Sequence, residues 1–204
     1  MTTAVVLGLS LATLVVVLGA FLATTRQDRR SAPAGAGLEF GADQGPGFFD
    51  PRTIKVGDTV HIAGARYKAM GALHLSWHGE QWTEHLLDDG TRRYQWLSVQ
   101  ERDVSQGEAH LEVMLWTQVP AQGMIPAKSM LIMEGVEFFP IERGTVAFRA
   151  EGMTGLPDRG LLDFADYRAN DNRLLSFQRV QGGQWVASYA HPLTPGSIQV
   201  ERLA

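Results

Sequence analysis

Three histidines, His74, His78 and His85, fall within twelve residues, with Glu80 and Glu84 among them. Neutral imidazole and carboxylate are good zinc ligands, so a metal-dependent hydrolase would be sought in the His74/His78/His85 region. On a strand, His74 and His78 would share a face. However, His78 stands at a turn, His85 lies on a hairpin arm, and the spacing dictates no third ligand. Structural or surface histidines are the preferred reading. Asp163, Asp166 and Asp171 lack the alternate acids and the glycine of a calcium loop. Glu84 stands between Trp82 and Arg93 in the chain, where burial would raise its pKa and a cation would lower it. A plain cross-strand ion pair with Arg93 is the default. No GxSxG elbow, P-loop or GxGxxG after a strand is present. Cysteine is absent, which removes thiolate chemistry and disulfides together. No catalytic residue, cofactor or metal site is assigned from the sequence.

The most unusual content is aromatic. Trp77, Trp82, Trp96, Trp116 and Trp185 are the five tryptophans, and three of them lie between 77 and 96. Core packing accounts for most, and some are expected to border a groove. The stretch 118–133, QVPAQGMIPAKSMLIM, is apolar and holds Met124, Met130 and Met133. Methionines make adaptable contact surfaces. Trp77, Trp82, Met124 and Met130 are therefore the candidate surface for a protein partner; the blander role of 118–133 is to link two β units.

Strands must position these residues. Strand signals begin near Thr53, and turn residues recur every eight to twelve positions, as in an all-β domain. Asp89-Gly90 suits a two-residue hairpin turn. With Asp88 paired to Thr91, His85 would face Tyr94, Thr83 would face Trp96, and Trp82 and Leu97 would share the opposite face. Both faces then carry bulky apolar groups, which suits strands covered on two sides. Gly182-Gly183 predicts a second hairpin with Val180 facing Trp185. His78-Gly79-Glu80 and Asn170-Asp171-Asn172 predict further turns. The segments Tyr67–Gly71 and Phe148–Gly152 are alike at a spacing of 81 residues, and Trp96–Glu101 resembles Leu174–Arg179 at 78. The expected fold is all-β, with two related antiparallel units, about 53–120 and 128–203, each a bent sheet or small barrel.

Ahead of this lie twenty uncharged residues, 4–23, AVVLGLSLATLVVVLGAFLA. As a helix they would span about 30 Å, the thickness of a bilayer's hydrocarbon core. A cleaved signal peptide is the alternative, but no basic residue precedes the run and the run exceeds a usual signal core. Arg26, Arg29 and Arg30 follow it, so the positive-inside rule places the C-terminal side in the cytoplasm. Residues 24–47 read as a basic juxtamembrane segment and a flexible linker rich in Gly, Ala and Pro, and 48–204 as the β domain. The net charge is −4, with +2 concentrated at 26–30, leaving −6 for the rest. An acidic domain lacks the electrostatic footprint for nucleic acid.

The stretch with Val56-Gly57-Asp58, Gly64 and Tyr67, Gly71, Trp82-Thr83-Glu84 and Trp96-Leu97-Ser98-Val99 resembles the bacterial domain of unknown function 4178. The later stretch from Phe164-Ala165-Asp166-Tyr167 through Leu174-Leu175-Ser176-Phe177 is similar to the second half of such proteins. The resemblance covers about 53–203 and implies a fold, with no activity and no catalytic residues attached. The sequence thus leads to a noncatalytic, membrane-anchored interaction or scaffold module at the inner face of a bacterial membrane. A metal-dependent hydrolase and an envelope-binding domain outside the cell are the alternatives.

Overall fold

A computed structural model describes residues 49–102, 110–120, 124–126 and 129–202. The expected membrane helix at 4–23 and the linker at 24–47 lie outside the described residues. Among the described residues, no helix is long and apolar enough to cross a membrane.

The chain forms β1 (Thr59–Ile62), β2 (Ala65–Trp77), β3 (Glu80–Asp88), β4 (Tyr94–Arg102), β5 (His110–Val119), β6 (Leu131–Met133), β7 (Val136–Gly152), β8 (Arg159–Ala169), β9 (Leu174–Val180), β10 (Val186–Leu193) and β11 (Ile198–Glu201), with two short 3-10 turns. The strand order is β11-β1-β2-β3-β4-β5-β10-β9-β8-β7-β6, and β2 also pairs with β7. That pairing closes β2–β5 and β7–β10 into one eight-stranded antiparallel barrel. Strands β11 and β1 continue the sheet beyond β2, and β6 continues it beyond β7. An eight-stranded barrel is just wide enough for side chains to fill, or for one small ligand.

Two long strands make the closure possible. Residues 65–68 of β2 pair with β1, and 71–76 pair with β7. A bulge at Met70 separates the two stretches, since Ala69 faces Leu87 and Gly71 faces Leu86. In β7 the bulge falls at Ile141, between Pro140 and Glu142. The extra residue bends each strand so that its first part leaves the barrel wall. Proline is tolerated beside such a bulge because it has no N–H to give the ladder.

Each leaving segment covers a sheet from outside. Val60, Ile62 and Ile198 pack with Leu87, Leu97, Val99, Val113 and Leu115 in one outer core. Leu131, Met133 and Phe138 pack with Ala165, Tyr167, Leu175 and Phe177 in another. Inside the barrel, Leu73, Leu75, Val146, Phe148, Leu162 and Phe164 form a third. The strands are therefore apolar on both faces, as the sequence suggested.

The two halves build one barrel wall rather than two separate barrels. The segments alike at a spacing of 81 residues meet at the seam of that wall, where Gly71 pairs directly with Gly152. At Gly71 a Cβ would stand 2.7 Å from the Met153 carbonyl carbon and oxygen, so the close approach needs glycine.

The turn His78-Gly79 is a two-residue hairpin loop, with φ of 49° and 90° and Trp77 opposite Glu80. Asn170-Asp171 also turns as expected, and Asn172 takes φ 67°. The Asp89-Gly90 hairpin differs. Its loop spans five residues, 89–93, with Asp88 opposite Tyr94. Asp88 Oδ1 accepts from the Gly90 N–H at 2.9 Å, and Asp89 Oδ1 accepts from the Thr91 N–H at 2.7 Å. These side-chain bonds replace the tight turn. The register moves by three, an odd number, so β4 shows opposite faces from those expected. His85 faces Leu97, and Trp96 faces Leu86. At Gly182-Gly183 the register slips by one. Val186 faces Gln178, and Trp185 lies against the Arg179 guanidinium at 4.4 Å.

Candidate functional site

Because side chains alternate along a strand, every second residue of the eight wall strands points into the barrel. At the end carrying the β2–β3 and β8–β9 turns, those residues are unusually polar. Trp77 comes from β2, Trp82 and Glu84 from β3, Ser98 and Gln100 from β4, Glu112 and Trp116 from β5. Asp166 comes from β8, and Ser176 and Gln178 from β9. They surround a cavity of about 130 Å³ that runs from exposed Glu80, Ile141 and Arg168 down to buried Ser176, Glu84 and Leu75.

Glu84 is only 5% exposed. It accepts a hydrogen bond from the Trp82 indole N–H at 3.2 Å. Burial pushes its pKa up to about 7, against the Trp82 hydrogen bond; the nearby Asp166 charge adds to the rise, and Gln178 opposes it. Asp166 lies opposite Ser176 on β9 and Glu142 on β7. Burial raises it to about 6; Ser176 opposes the rise and Glu142 assists it. Asp166 Oδ1 and Ser176 Oγ are buried and make no hydrogen bond of ordinary geometry. Trp116 donates its indole N–H to Ser98 Oγ at 2.9 Å. Trp77 meets Phe164 edge to face with centroids 5.2 Å apart. At the mouth, Arg102 is held by Glu112 at 3.1 Å and Glu80 at 3.6 Å. Buried carboxyl groups with perturbed pKa values in a cleft mark a functional-site candidate.

The opposite end of the lumen holds a second cavity, of about 350 Å³ and more apolar, bordered by Leu73, Trp96, Leu156, Val180 and Val186. Leu162 and Gln178 border both cavities.

The sequence had assigned these residues differently. Glu84 is no ion-pair partner of Arg93, because the five-residue loop takes Arg93 out of the ladder and sets Ser98 opposite Glu84. The aspartates considered for calcium are dispersed. Asp163 is bound by Thr145 at 2.8 Å and Arg179 at 3.0 Å, Asp171 by Arg173 at 2.8 Å, and Asp166 is inside the barrel. The histidines also part company. His74 Nε2 meets Glu151 at 3.0 Å on the outer surface. His78 sits in the β2–β3 turn with its ring 4.5 Å from that of Trp77. His85 is 3% exposed in the outer wall, where burial lowers its pKa to about 4 and leaves Nδ1 unpartnered. Among the described residues, no group of three or more His, Cys, Asp or Glu is placed to hold a metal ion.

The candidate partner surface is divided as well. Trp77 and Trp82 border the lumen, Met124 packs against the second outer core, and Met130 is 39% exposed. Ser176 was not singled out as a site residue; for Glu84, the spacing Trp82-x-Glu84 puts an acid beside an indole on one face of a strand and was a usable signal.

Fold and lumen together define a small antiparallel β-barrel domain with an internal, acid- and indole-lined cavity. The chain belongs to the family described as Domain of unknown function (DUF4178), whose model matches residues 55–195. It is 35% identical over 136 residues to an uncharacterized protein of Mycobacterium bovis, with 64% of this chain and 63% of the relative covered. Uncharacterized proteins from two Mycobacterium tuberculosis strains match equally. The chain thus spans a little under two thirds of the length of these curated relatives. No solved structure matches the chain.

Proposed function

We propose that this protein is a noncatalytic binding module whose barrel lumen receives a small ligand or a partner's side chain. The reading rests on the lumen: Glu84, Asp166 and Ser176 are placed among indoles in a cavity that reaches solvent at one end. Burying carboxyl groups without full partners costs stability. A domain kept only for packing would fill these positions with apolar side chains, as it does elsewhere in the same barrel. Residues 4–23 tether the barrel to a bacterial inner membrane, with the domain on the cytoplasmic side, as the basic residues that follow them suggest. The histidine-based hydrolase draws no support from the positions of His74, His78 and His85.

The test is a fragment screen on the full-length chain in detergent micelles, read by the indole N–H resonances of Trp82 and Trp116. Ser176→Leu serves as a variant with the lumen filled. Fragments that move both resonances saturably, and lose that effect in Ser176→Leu, are expected. A screen that moves neither resonance, or moves them equally in the filled variant, overturns the binding role. For the tether, a reporter fused after Ala204 is expected to be active only if it works in the cytoplasm. Activity from an export-dependent reporter at that position overturns the sidedness.

A further inference from the structure

We infer that the lumen's ligand is a small organic ammonium ion, held by Glu84, Asp166 and Ser176 against the indoles of Trp82 and Trp116. The inference rests on the binding role proposed above and names the chemistry of the occupant.

Charge is the first ground. Five carboxyl groups border the cavity, Glu80, Glu84, Glu112, Glu142 and Asp166, against two arginines, Arg102 and Arg168. Arg102 is already engaged by Glu80 and Glu112 at the mouth. Arg168 is exposed at the rim. Arg102 offsets Asp166 only in part, no cation is among the influences on Glu84, and an anion entering the lumen would meet like charge.

Hydrogen bonding is the second, independent ground. Ser176 is 2% exposed and borders the cavity, and its Oγ makes no hydrogen bond of ordinary geometry, though it stands close enough to Asp166 to oppose the rise of that carboxyl's pKa. A carboxylate and a hydroxyl side by side offer several acceptor lone pairs against the hydroxyl's single donor. An ammonium group brings two or three N–H donors and a positive charge to the same place.

The indoles are the third ground. Trp82 and Trp116 have committed their N–H groups to Glu84 and Ser98. What remains to a ligand is π surface, which attracts cations and stacks with apolar groups. A bare metal ion would gain little from indoles, whereas an alkylammonium ion uses both the aromatic wall and the oxygen acceptors.

The measurement is a titration of the full-length chain, at constant ionic strength, with n-butylammonium, 1-butanol and butyrate, followed by the Trp82 and Trp116 indole resonances. The three probes share a chain and differ in charge. Butylammonium is expected to shift both resonances saturably, while butanol and butyrate do not. Glu84→Gln and Asp166→Asn are each expected to weaken butylammonium by about tenfold or more. Ser176→Ala, a smaller change, should weaken it by a lesser factor while leaving the spectrum of the outer cores unaltered. Equal shifts with butanol overturn the ammonium assignment and leave lumen binding standing. Shifts with unrelated fragments but none with butylammonium do the same. If no fragment and no probe moves the indole signals, both this inference and the binding role fail.

Discussion

Replacing Glu84 by glutamine should stabilise the unliganded protein, and by an amount that grows with pH. The ordinary glutamate pKa is 4.5, and burial in the lumen raises it to about 7. An acid raised on folding stays protonated longer in the folded chain than in the unfolded one. Folding is unhindered by Glu84 below pH 4.5, and stability is lost as pH rises through 7, above which the loss is constant. With about 1.36 kcal/mol for each pH unit of separation, the full loss is about 3 kcal/mol. The same relation gives about 1 kcal/mol at pH 5 and about 2 kcal/mol at pH 6. Glutamine keeps the shape and can still accept from the Trp82 indole, yet carries no charge. Urea unfolding of the full-length chain and Glu84→Gln, from pH 5 to pH 8, gives the difference directly. The variant should gain about 2 kcal/mol on the parent over that range. Asp166, which contributes to the rise at Glu84, titrates in the same window in both proteins, so its own effect largely cancels. A difference that is flat with pH, or one that favours the parent, would refute the claim that Glu84 is buried without a compensating cation.

His85 should act in the opposite sense: its folded pKa of about 4 lies below the ordinary 6.5, so stability is complete above pH 6.5 and falls by about 3 kcal/mol as pH drops through 4. His85→Leu should remove that acid loss, measured by the same unfolding series between pH 7 and pH 4. Gly71→Ala forces a Cβ to 2.7 Å from the Met153 backbone at the β2–β7 seam, and a loss of about 2 kcal/mol or more by thermal unfolding is expected. Leu97→Ala empties a fully buried position in the first outer core and should cost about 3 kcal/mol. Tyr94→Ala, at a residue 52% exposed three positions earlier, should change stability by less than about 1 kcal/mol.

The all-β class and the His78-Gly79 turn were legible in the sequence because the relevant forces are local. Alternation follows from strand geometry, and a glycine in second place suits a turn needing positive φ twice. The β3–β4 register was not legible. Two consecutive aspartates, Asp88 and Asp89, could cap the backbone with their own side chains or allow a tight turn, and only the packing of Leu87, Leu97 and Val99 in one core decides. That decision sends Trp96 and Ser98 into the lumen. Closure of the barrel was illegible for a different reason. The pairing of Gly71 with Gly152 joins residues far apart in the chain and depends on bulges at Met70 and Ile141 that no local signal announces. The site shared this fate. Glu84 and Asp166 each drew notice, one as an ion-pair partner and the other as a calcium ligand. Their meeting required eight strands to curl around one space.

The most direct measurement is of intermolecular nuclear Overhauser effects from n-butylammonium methylene protons to the full-length chain. The account predicts cross-peaks to the indole protons of Trp82 and Trp116, lost in Ser176→Leu. Cross-peaks only to Trp185, which packs on the outer wall, or to exposed residues away from the barrel mouth, would contradict it.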